Sequence, residues 1–359
     1  MIRLSFHGGF PTLKRQILVT GGTGYIGSHT VVELQQAGFN VLIVDDLSNS
    51  HIGVLDGIQG ITGIRPAFEQ FNLQDRERLD ELFRSRGTID AVIHFAASKS
   101  VVESVRQPLA YYRNNLVSLI NLLDAMRACR TARIVFSSSC TVYGQPERLP
   151  VTEEAPLQKA ASPYGTTKRV CEEILEDAVA AEDFLRGIAL RYFNPIGAHP
   201  SALIGELPSG VPDNLVPYIT QTAIGVRPEL RVFGDDYPTP DGSCIRDYIH
   251  VVDLAQAHVA AVRRLLENRG KSAFEYFNIG TGTGYSVLEV IRTFEKVAGK
   301  RLPHRIVGRR PGDIEQVWAD TSLANRELGW KAERGLQEML ASAWEWEQRY
   351  RSAIDRSTR

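Results

Sequence analysis

A glycine-rich turn between an apolar strand and a helix constrains the fold of this chain more than any other sequence feature. Residues Gln16–Thr20 form a short apolar run, and Gly21, Gly24 and Gly27 follow it with the spacing G-x-x-G-x-x-G. Apolar residues at helical spacing then continue over residues 26–37. Such a turn lets the backbone approach a diphosphate closely, and the start of the helix presents unpaired N–H groups to it. The pattern predicts a dinucleotide site, against the alternative of a glycine-rich turn without a ligand.

An acidic residue follows the next strand, where the adenosine ribose of a dinucleotide would lie. Asp45 comes directly after the predicted strand 40–44, about 20 residues beyond the glycines. A carboxylate there hydrogen-bonds the ribose hydroxyls and repels a 2′-phosphate, so the sequence predicts NAD rather than NADP. The neighbouring Asp46 is interpreted as a solvated loop acid without a contact role.

Short strand patterns and helix patterns alternate through the first half of the chain. Further strands are predicted at 91–95, 133–137 and 188–192, and a long helix at Pro108–Ala128. The strands are almost continuously apolar, which is typical of strands covered by helices on both faces. The pattern predicts an α/β fold with a doubly wound parallel sheet (Rossmann) and a second, smaller, loop-rich substrate domain.

The density of proline and glycine divides the chain. Residues 1–15 are interpreted as an N-terminal extension, 16–194 as the NAD-binding domain, and 195–359 as the substrate-binding domain, which is richer in turn signals. Segments near 246–270 are expected to return to the first domain. Within the second half, helices are predicted at 215–224 and 252–267.

Composition excludes several classes of function. The 41 basic and 42 acidic residues give a formal charge of −1, so nothing indicates a nucleic-acid partner. None of the four cysteines stands in a C-x-x-C pair, so no metal site is predicted. Scattered single cysteines favour a cytoplasmic location, and no apolar run approaches the ~20 residues that span a membrane.

A tyrosine and a lysine four residues apart form the candidate catalytic pair. Ser162 and Pro163 predict a helix start, which puts Tyr164 and Lys168 on one face of that helix, one turn apart. A nearby ammonium favours the phenolate over the phenol. Such pairs also occur by chance on helix surfaces. The serine run that ends at Ser139 follows an apolar strand, however, and therefore lies at the edge where open α/β sheets bind ligands.

Several long motifs resemble those of one enzyme family. From Gln16 to about Trp330 the chain is similar to the UDP-glucose 4-epimerase (UDP-galactose 4-epimerase) family of the extended short-chain dehydrogenase/reductase superfamily. The motifs that carry the resemblance are TGGTGYIGSHT, YYRNNL, FSSSCTVYG, SPYGTTK, LRYFNPIGAHP, VPDNLVPYI, FGDDYPTPDG, IRDYIHV and RRPGD.

The resemblance implies NAD-dependent 4-epimerisation of a UDP-hexose. Tyr164 is implied as the base that takes the proton of the sugar 4′-hydroxyl. Ser139 is implied to bond the same oxygen, and Lys168 to hold the nicotinamide ribose. The implied cofactor-binding residues are Gly21, Gly24, Tyr25, Ile26, Gly27, Asp45, Asn49, Asn72, Phe95, Lys99, Asn114, Tyr164 and Lys168. At Asn72 the family often has an aspartate, and this difference leaves the adenine contact open. The implied substrate-binding residues are Ser139, Tyr164, Asn194, Asn214, Arg246, Arg310, Asp313 and Val317.

Val317 stands where the family uses residue size to select the sugar. A bulky tyrosine at this position excludes N-acetyl sugars, so a valine suggests that UDP-N-acetylglucosamine and UDP-N-acetylgalactosamine are also accepted. The alternative is that a neighbouring side chain fills the space beside the valine.

Three alternatives to UDP-hexose epimerisation can be compared with the sequence. A sugar-nucleotide 4,6-dehydratase needs an Asp-Glu pair after the serine, and Cys140 and Thr141 stand there instead. A non-catalytic NAD-binding protein would be expected to lose the tyrosine or the lysine. Epimerisation of UDP-glucuronate or a UDP-pentose stays open.

The resemblance also implies a homodimer, formed through helices of the cofactor domain. The candidate helix is Pro108–Ala128, with Leu109, Leu116, Leu119 and Leu123. The alternative is that these leucines face the sheet.

Overall fold

A computed structural model describes residues 14–310 and 313–357. Of the extension predicted at residues 1–15, only the last two residues are among them. The strands are β1 (Gln16–Thr20), β2 (Asn40–Asp45), β3 (Ala67–Gln70), β4 (Ala91–His94), β5 (Arg133–Ser139), β6 (Arg186–Tyr192), β7 (Asn194–Ile196), β8 (Leu230–Phe233), β9 (Ile245–His250), β10 (Phe274–Ile279), β11 (Gly284–Ser286), β12 (His304–Val307) and β13 (Gln316–Val317).

The helices surround these strands. They are α1 (Tyr25–Gln36), α2 (Val54–Thr62), α3 (Arg76–Ser85), α4 (Val101–Arg106), α5 (Pro108–Ala128), α6 (Pro163–Ala181), α7 (Leu215–Ala223), α8 (Val251–Leu266), α9 (Val287–Ala298), α10 (Ser322–Glu327) and α11 (Leu336–Ser357), together with a short 3₁₀ turn at Cys140–Tyr143. No helix among the described residues is both long enough and apolar enough to span a membrane.

Seven strands form the central sheet, in the order β10-β6-β5-β4-β1-β2-β3. Every pairing in it is parallel. The prediction of a doubly wound parallel sheet is therefore confirmed. The strand order reverses between β1 and β4, and the crevice at such a switch point is where open α/β sheets bind ligands.

Alternating residues of each strand supply the cores on the two faces of the sheet. Ile17 and Val19 of β1 pack with α1, α2 and α8 on one face, whereas Leu18 packs with α3, α5 and α6 on the other. Helices cover both faces, which explains why the middle of most of these strands is apolar.

The second half of the chain contributes to both parts of the molecule. Helix α8 lies in the core on one face of the sheet, and β10 extends the sheet beside β6. A separate core joins α7, α9 and α11 to β8 and β9. The domain boundary at residue 194 stays a prediction.

The leucine stripe expected on α5 does not form one exposed face. Leu119 is fully buried, and Leu116 and Leu123 pack against the same core. For these three residues the alternative in which they face the sheet is the correct one. Leu109 is 75% exposed and lies about two and three turns before Val117 and Ile120, which are exposed as well. The exposed apolar side chains of α5 are thus partly different from those expected.

Candidate active site

The glycine turn after β1 brings backbone atoms together so closely that side chains are excluded. Gly21 has φ of +72°, and its N–H bonds the carbonyl of Val44 at 2.8 Å. A Cβ on Gly27 would lie 2.2 Å from the Gly21 carbonyl oxygen. Helix α1 begins after Gly24, which gives no side-chain cap to the first N–H groups. The turn therefore fits a diphosphate, because these donors are open and no Cβ covers them.

Two neighbouring acids shape the loop after β2. Asp45 accepts hydrogen bonds from the N–H groups of Thr23 at 3.1 Å and Leu47 at 2.9 Å, which ties the glycine turn to this loop. Asp46 is hydrogen-bonded as well, since its carboxylate accepts from the Asn72 amide at 2.7 Å. The interpretation of Asp46 as a merely solvated acid is therefore incomplete: it orients Asn72.

Asn114 and the segment after β4 lie at the same edge of the sheet. The Asn114 amide donates to the Ser98 hydroxyl at 3.1 Å. The Phe95 ring lies 4.7 Å from the His258 ring, and Ile26 packs at the margin of the same core.

Three other proposed cofactor residues contact the second half of the chain. The Tyr25 hydroxyl donates to the Gly197 carbonyl at 2.6 Å, and Asn49 accepts from Ser209 at 3.4 Å. The Lys99 ammonium lies 3.8 Å from the carboxylate of Glu206. These side chains therefore lie where the two halves of the chain meet.

The candidate catalytic residues converge at the carboxyl end of β5. The Ser162 hydroxyl caps α6, so Tyr164 and Lys168 lie in its first two turns as predicted from the spacing. The Lys168 ammonium donates to the Ser137 carbonyl at 2.7 Å and lies 5.9 Å from the centre of the Tyr164 ring. Ser139 is the last residue of β5, and its hydroxyl accepts from the N–H of Thr141 at 3.2 Å.

Burial governs the protonation of the catalytic pair. It raises the pKa of Tyr164 above its ordinary value, and a hydrogen bond with Ser139 lowers that pKa by less. Burial also lowers the pKa of Lys168 to about 8. Desolvation acts against both charged forms and therefore opposes the phenolate that a nearby ammonium was expected to favour.

An amide that the sequence analysis missed holds these segments in place. Asn115 is buried, and its side chain accepts from the Ser98 N–H at 2.8 Å and donates to the Thr167 hydroxyl at 2.9 Å. It therefore joins the loop after β4 to the residue before Lys168. The paired asparagines of YYRNNL were the available signal, since only one of them is needed at the cofactor.

The proposed substrate residues come from the loop-rich half. Asn194 lies on β7 and Arg246 on β9, where Arg246 is paired with Val317 of β13. The Asn214 amide donates to Glu206 at 2.7 Å. Glu206 is a second residue that the sequence analysis missed.

A cleft of about 590 Å³ opens beside these strands. Arg310 lines it and donates to Asp313 at 2.8 Å. The other lining residues are Gln145, Tyr237, Arg309 and Glu315. Gln145 lies just beyond the turn that follows Ser139, so the cleft adjoins the catalytic segment. Guanidinium groups here suit a diphosphate.

Val317 is packed rather than open. It is 3% exposed and shares an apolar cluster with Val142, Tyr143 and Phe193, with Cys140 at the margin. Neighbouring side chains contact Val317, which agrees with the alternative that they fill the space beside the valine. The same contacts put Val317 against the turn that follows Ser139, so its size affects the wall next to the candidate catalytic serine. No three His, Cys, Asp or Glu side chains of the described ranges are arranged to hold a metal ion.

A family model and curated relatives both match most of this chain. The sequence model of the family described as GDP-mannose 4,6 dehydratase matches residues 18–343. UDP-glucose 4-epimerase of Bacillus subtilis is 53% identical over 331 residues, which cover 92% of this chain and 96% of that protein.

Solved structures agree as well. UDP-glucose 4-epimerase of Stenotrophomonas maltophila, with bound NAD and formylated UDP-arabinopyranose, has a TM-score of 0.91 at 52% identity and covers 94% of this chain and 99% of its own. The UDP-Glc/GlcNAc 4-epimerase of Campylobacter jejuni has a TM-score of 0.80 at 35% identity, with coverage of 93% and 99%.

Proposed function

Because the chain belongs to the family of UDP-glucose 4-epimerases, we propose that it interconverts UDP-glucose and UDP-galactose with NAD as a tightly bound oxidant. The observation that supports this most is the position of Tyr164 and Lys168. Both are buried at the carboxyl edge of the sheet, and the glycine turn opens at the same edge. A single base beside a dinucleotide site suits a reaction in which the base removes and returns one proton and the dinucleotide removes and returns one hydride.

The proposed mechanism assigns one task to each residue. When bound, NAD supplies the hydride acceptor and a positive ring that favours the phenolate of Tyr164. Tyr164 takes the proton of the 4′-hydroxyl while the hydride leaves C4′ for the bound oxidant. It returns the proton when the 4-keto sugar, after rotating in the site, takes the hydride back on its opposite face. Ser139 bonds the same oxygen and relays the proton. Lys168 holds the nicotinamide ribose and keeps positive charge near the phenol.

The cofactor and nucleotide assignments extend this proposal. The glycine turn and Asp45 hold the dinucleotide, and the other cofactor residues are Tyr25, Ile26, Asn49, Asn72, Phe95, Lys99 and Asn114. Arg246, Arg310 and Asp313 hold the nucleotide diphosphate and ribose, and Asn194 and Asn214 face the sugar nucleotide. Asn115 positions the loop after β4.

Dehydration of the same substrate class is disfavoured by chemistry at the turn. Cys140 and Thr141 occupy the positions of the acid–base pair that a dehydratase needs. Burial raises the pKa of the Cys140 thiol to about 12, so it stays protonated and is a poor proton shuttle.

The finer choice of sugar is tested by product analysis. We expect turnover of UDP-galactose and of UDP-N-acetylgalactosamine, because the valine at 317 is small. UDP-glucuronate and UDP-arabinopyranose belong in the same assay, since a related structure holds a modified UDP-pentose. Purified protein that epimerises none of these UDP-sugars, while retaining NAD, would contradict the proposed function.

Enlarging the side chain at 317 should change specificity. Val317→Tyr is expected to lower the ratio of UDP-N-acetylgalactosamine to UDP-galactose turnover by more than about 10-fold, the low end of the effect of a single methylene group in an enzyme pocket. The measurement is kcat/KM for both sugars. Val226→Tyr is the control, because Val226 is exposed. If wild-type protein fails to turn over UDP-N-acetylglucosamine at saturating substrate, the proposal that it accepts N-acetyl sugars is wrong.

A homodimer is proposed through the exposed side chains of α5. Leu109, Val117 and Ile120 form an apolar strip on this helix, the kind of surface that marks an interaction site. Light scattering should give about twice the chain mass of 39.9 kDa. Ile120→Lys should shift the protein to monomer, whereas Ile306→Lys, at a comparably exposed residue on β12, should not. A monomeric wild-type protein would contradict the proposal.

The proposed location is the cytoplasm. Cys129, Cys140, Cys171 and Cys244 are all free thiols, which is the usual state in a reducing compartment.

A further inference from the structure

A buried ion pair lies beneath the candidate catalytic residues. The guanidinium of Arg191 on β6 donates to both carboxylate oxygens of Glu172, at 2.9 and 2.7 Å. The two side chains are 4% and 2% exposed. Glu172 lies on α6, one turn beyond Lys168 and two turns beyond Tyr164, on the same face of the helix.

The pair ties together the segments that carry the reactive groups. The Ser138 hydroxyl donates to Glu172 at 2.5 Å, so the carboxylate holds the residue next to Ser139. Arg191 also donates to the hydroxyl of Tyr143, at 3.1 Å, on the turn that follows Ser139. The strand end before this turn and the last residue of the turn are therefore both bonded to the pair.

Stability alone does not account for such a pair. The cost of desolvating two charges offsets their attraction, and apolar residues of the same volume serve a core at least as well. What the pair adds here is geometry, because its fork of hydrogen bonds joins α6 to β6 and the same carboxylate is bonded to Ser138 at the end of β5.

We propose that Glu172, held by Arg191, is a positioning residue that sets Ser139 and the turn after it against Tyr164 on α6. This inference rests on the proposed roles of Tyr164, Lys168 and Ser139.

Glu172 also acts on the charge of Lys168, which lies one turn before it on the same helix. Burial lowers the pKa of Lys168, and the charge of Glu172 on its own helix raises it. Burial raises the pKa of Cys171 to about 12, so the thiol is neutral. Burial lowers the pKa of His94, on β4, to about 3, so this group is neutral too. From β5, the side facing Lys168 presents the Ser137 carbonyl and the Phe136 ring, neither of which titrates.

The test is Glu172→Gln in the NAD-loaded enzyme, measured as kcat and KM for UDP-galactose against pH. The variant keeps the shape of the side chain but loses its charge. Because Glu172 raises the pKa of Lys168, its removal should move the alkaline limb of the kcat profile to lower pH. We expect kcat to fall at least tenfold, towards the roughly 10²-fold cost of a 1 Å misplacement. KM should change less than threefold.

Glu275→Gln is the matched control. Arg264 on α8 donates two hydrogen bonds of 2.8 Å to Glu275 on β10, in a buried pair that Glu327 joins at 3.6 Å. A merely structural role predicts that both variants lose stability and keep kcat and the pH profile. That result would overturn the proposal.

Two further variants test the proposal even if Glu172→Gln does not fold. The double variant Glu172→Met with Arg191→Met removes both charges, and Ser138→Ala removes only the bond to the strand end. Reduced kcat with retained NAD in either variant supports the proposal, and wild-type kcat in both overturns it. If Tyr164→Phe were fully active, the proposed function would fail instead, whatever these variants show.

Discussion

Tyr164→Phe is expected to lower kcat for UDP-galactose by about 10²–10⁴-fold, the usual contribution of a positioned acid–base group. Only a hydroxyl is removed, and the ring that fills this buried position stays. The fold and the glycine turn are untouched, so the purified variant should keep its NAD. Product formation by NMR and NAD released on denaturation measure the two quantities separately.

A tyrosine away from the site provides the control. Tyr350 lies on α11, where its ring stacks on Trp346, and Tyr350→Phe should keep wild-type turnover. Near-wild-type activity of Tyr164→Phe would refute its assignment as the base. Loss of activity together with loss of NAD would show instead that the tyrosine acts in cofactor binding.

The first half of the fold was predictable because its signals are local. Apolar strands and the glycine turn gave β1, α1 and β2 to within one residue at each end. Strand β10 was missed, since its pairing with β6 joins residues far apart in sequence. The exposed face of α5 was also missed: apolar periodicity identifies the apolar positions, but which of them face the sheet depends on tertiary packing.

At the site, the motifs indicated which residues meet but not how their charges behave. The spacing of Tyr164 and Lys168 predicted a shared helix face, and the structure has it. Burial of the pair, which raises one pKa and lowers the other, depends on the elements packed around them and leaves no local pattern. Glu206 was missed for the same reason. Its role at the site depends on its contacts with Lys99 and Asn214, which come from other segments of the chain.

Gly27→Ala is expected to destroy the dinucleotide site although it adds a single methyl group. That methyl would lie 2.2 Å from the Gly21 carbonyl oxygen and 2.9 Å from the Gly22 Cα. Both are backbone atoms of the turn, so neither can rotate away as a side chain would. Helix α1 must move off β1, at a cost of about 1–3 kcal/mol for overpacking. The same movement takes its N-terminal N–H groups away from the diphosphate.

The two consequences are measured by thermal unfolding with and without added NAD. A ligand that binds only the folded state raises the melting temperature, so wild-type protein stripped of NAD should gain stability when NAD is added back. Gly27→Ala should melt lower and gain little. Gly335→Ala is the control, because a Cβ at that exposed glycine meets no atom within 4 Å. If Gly27→Ala responds to NAD as wild type does, the close approach of α1 to the turn is not what forms the site, and the dinucleotide must be held mainly by Asp45 and the loops after β2 and β4.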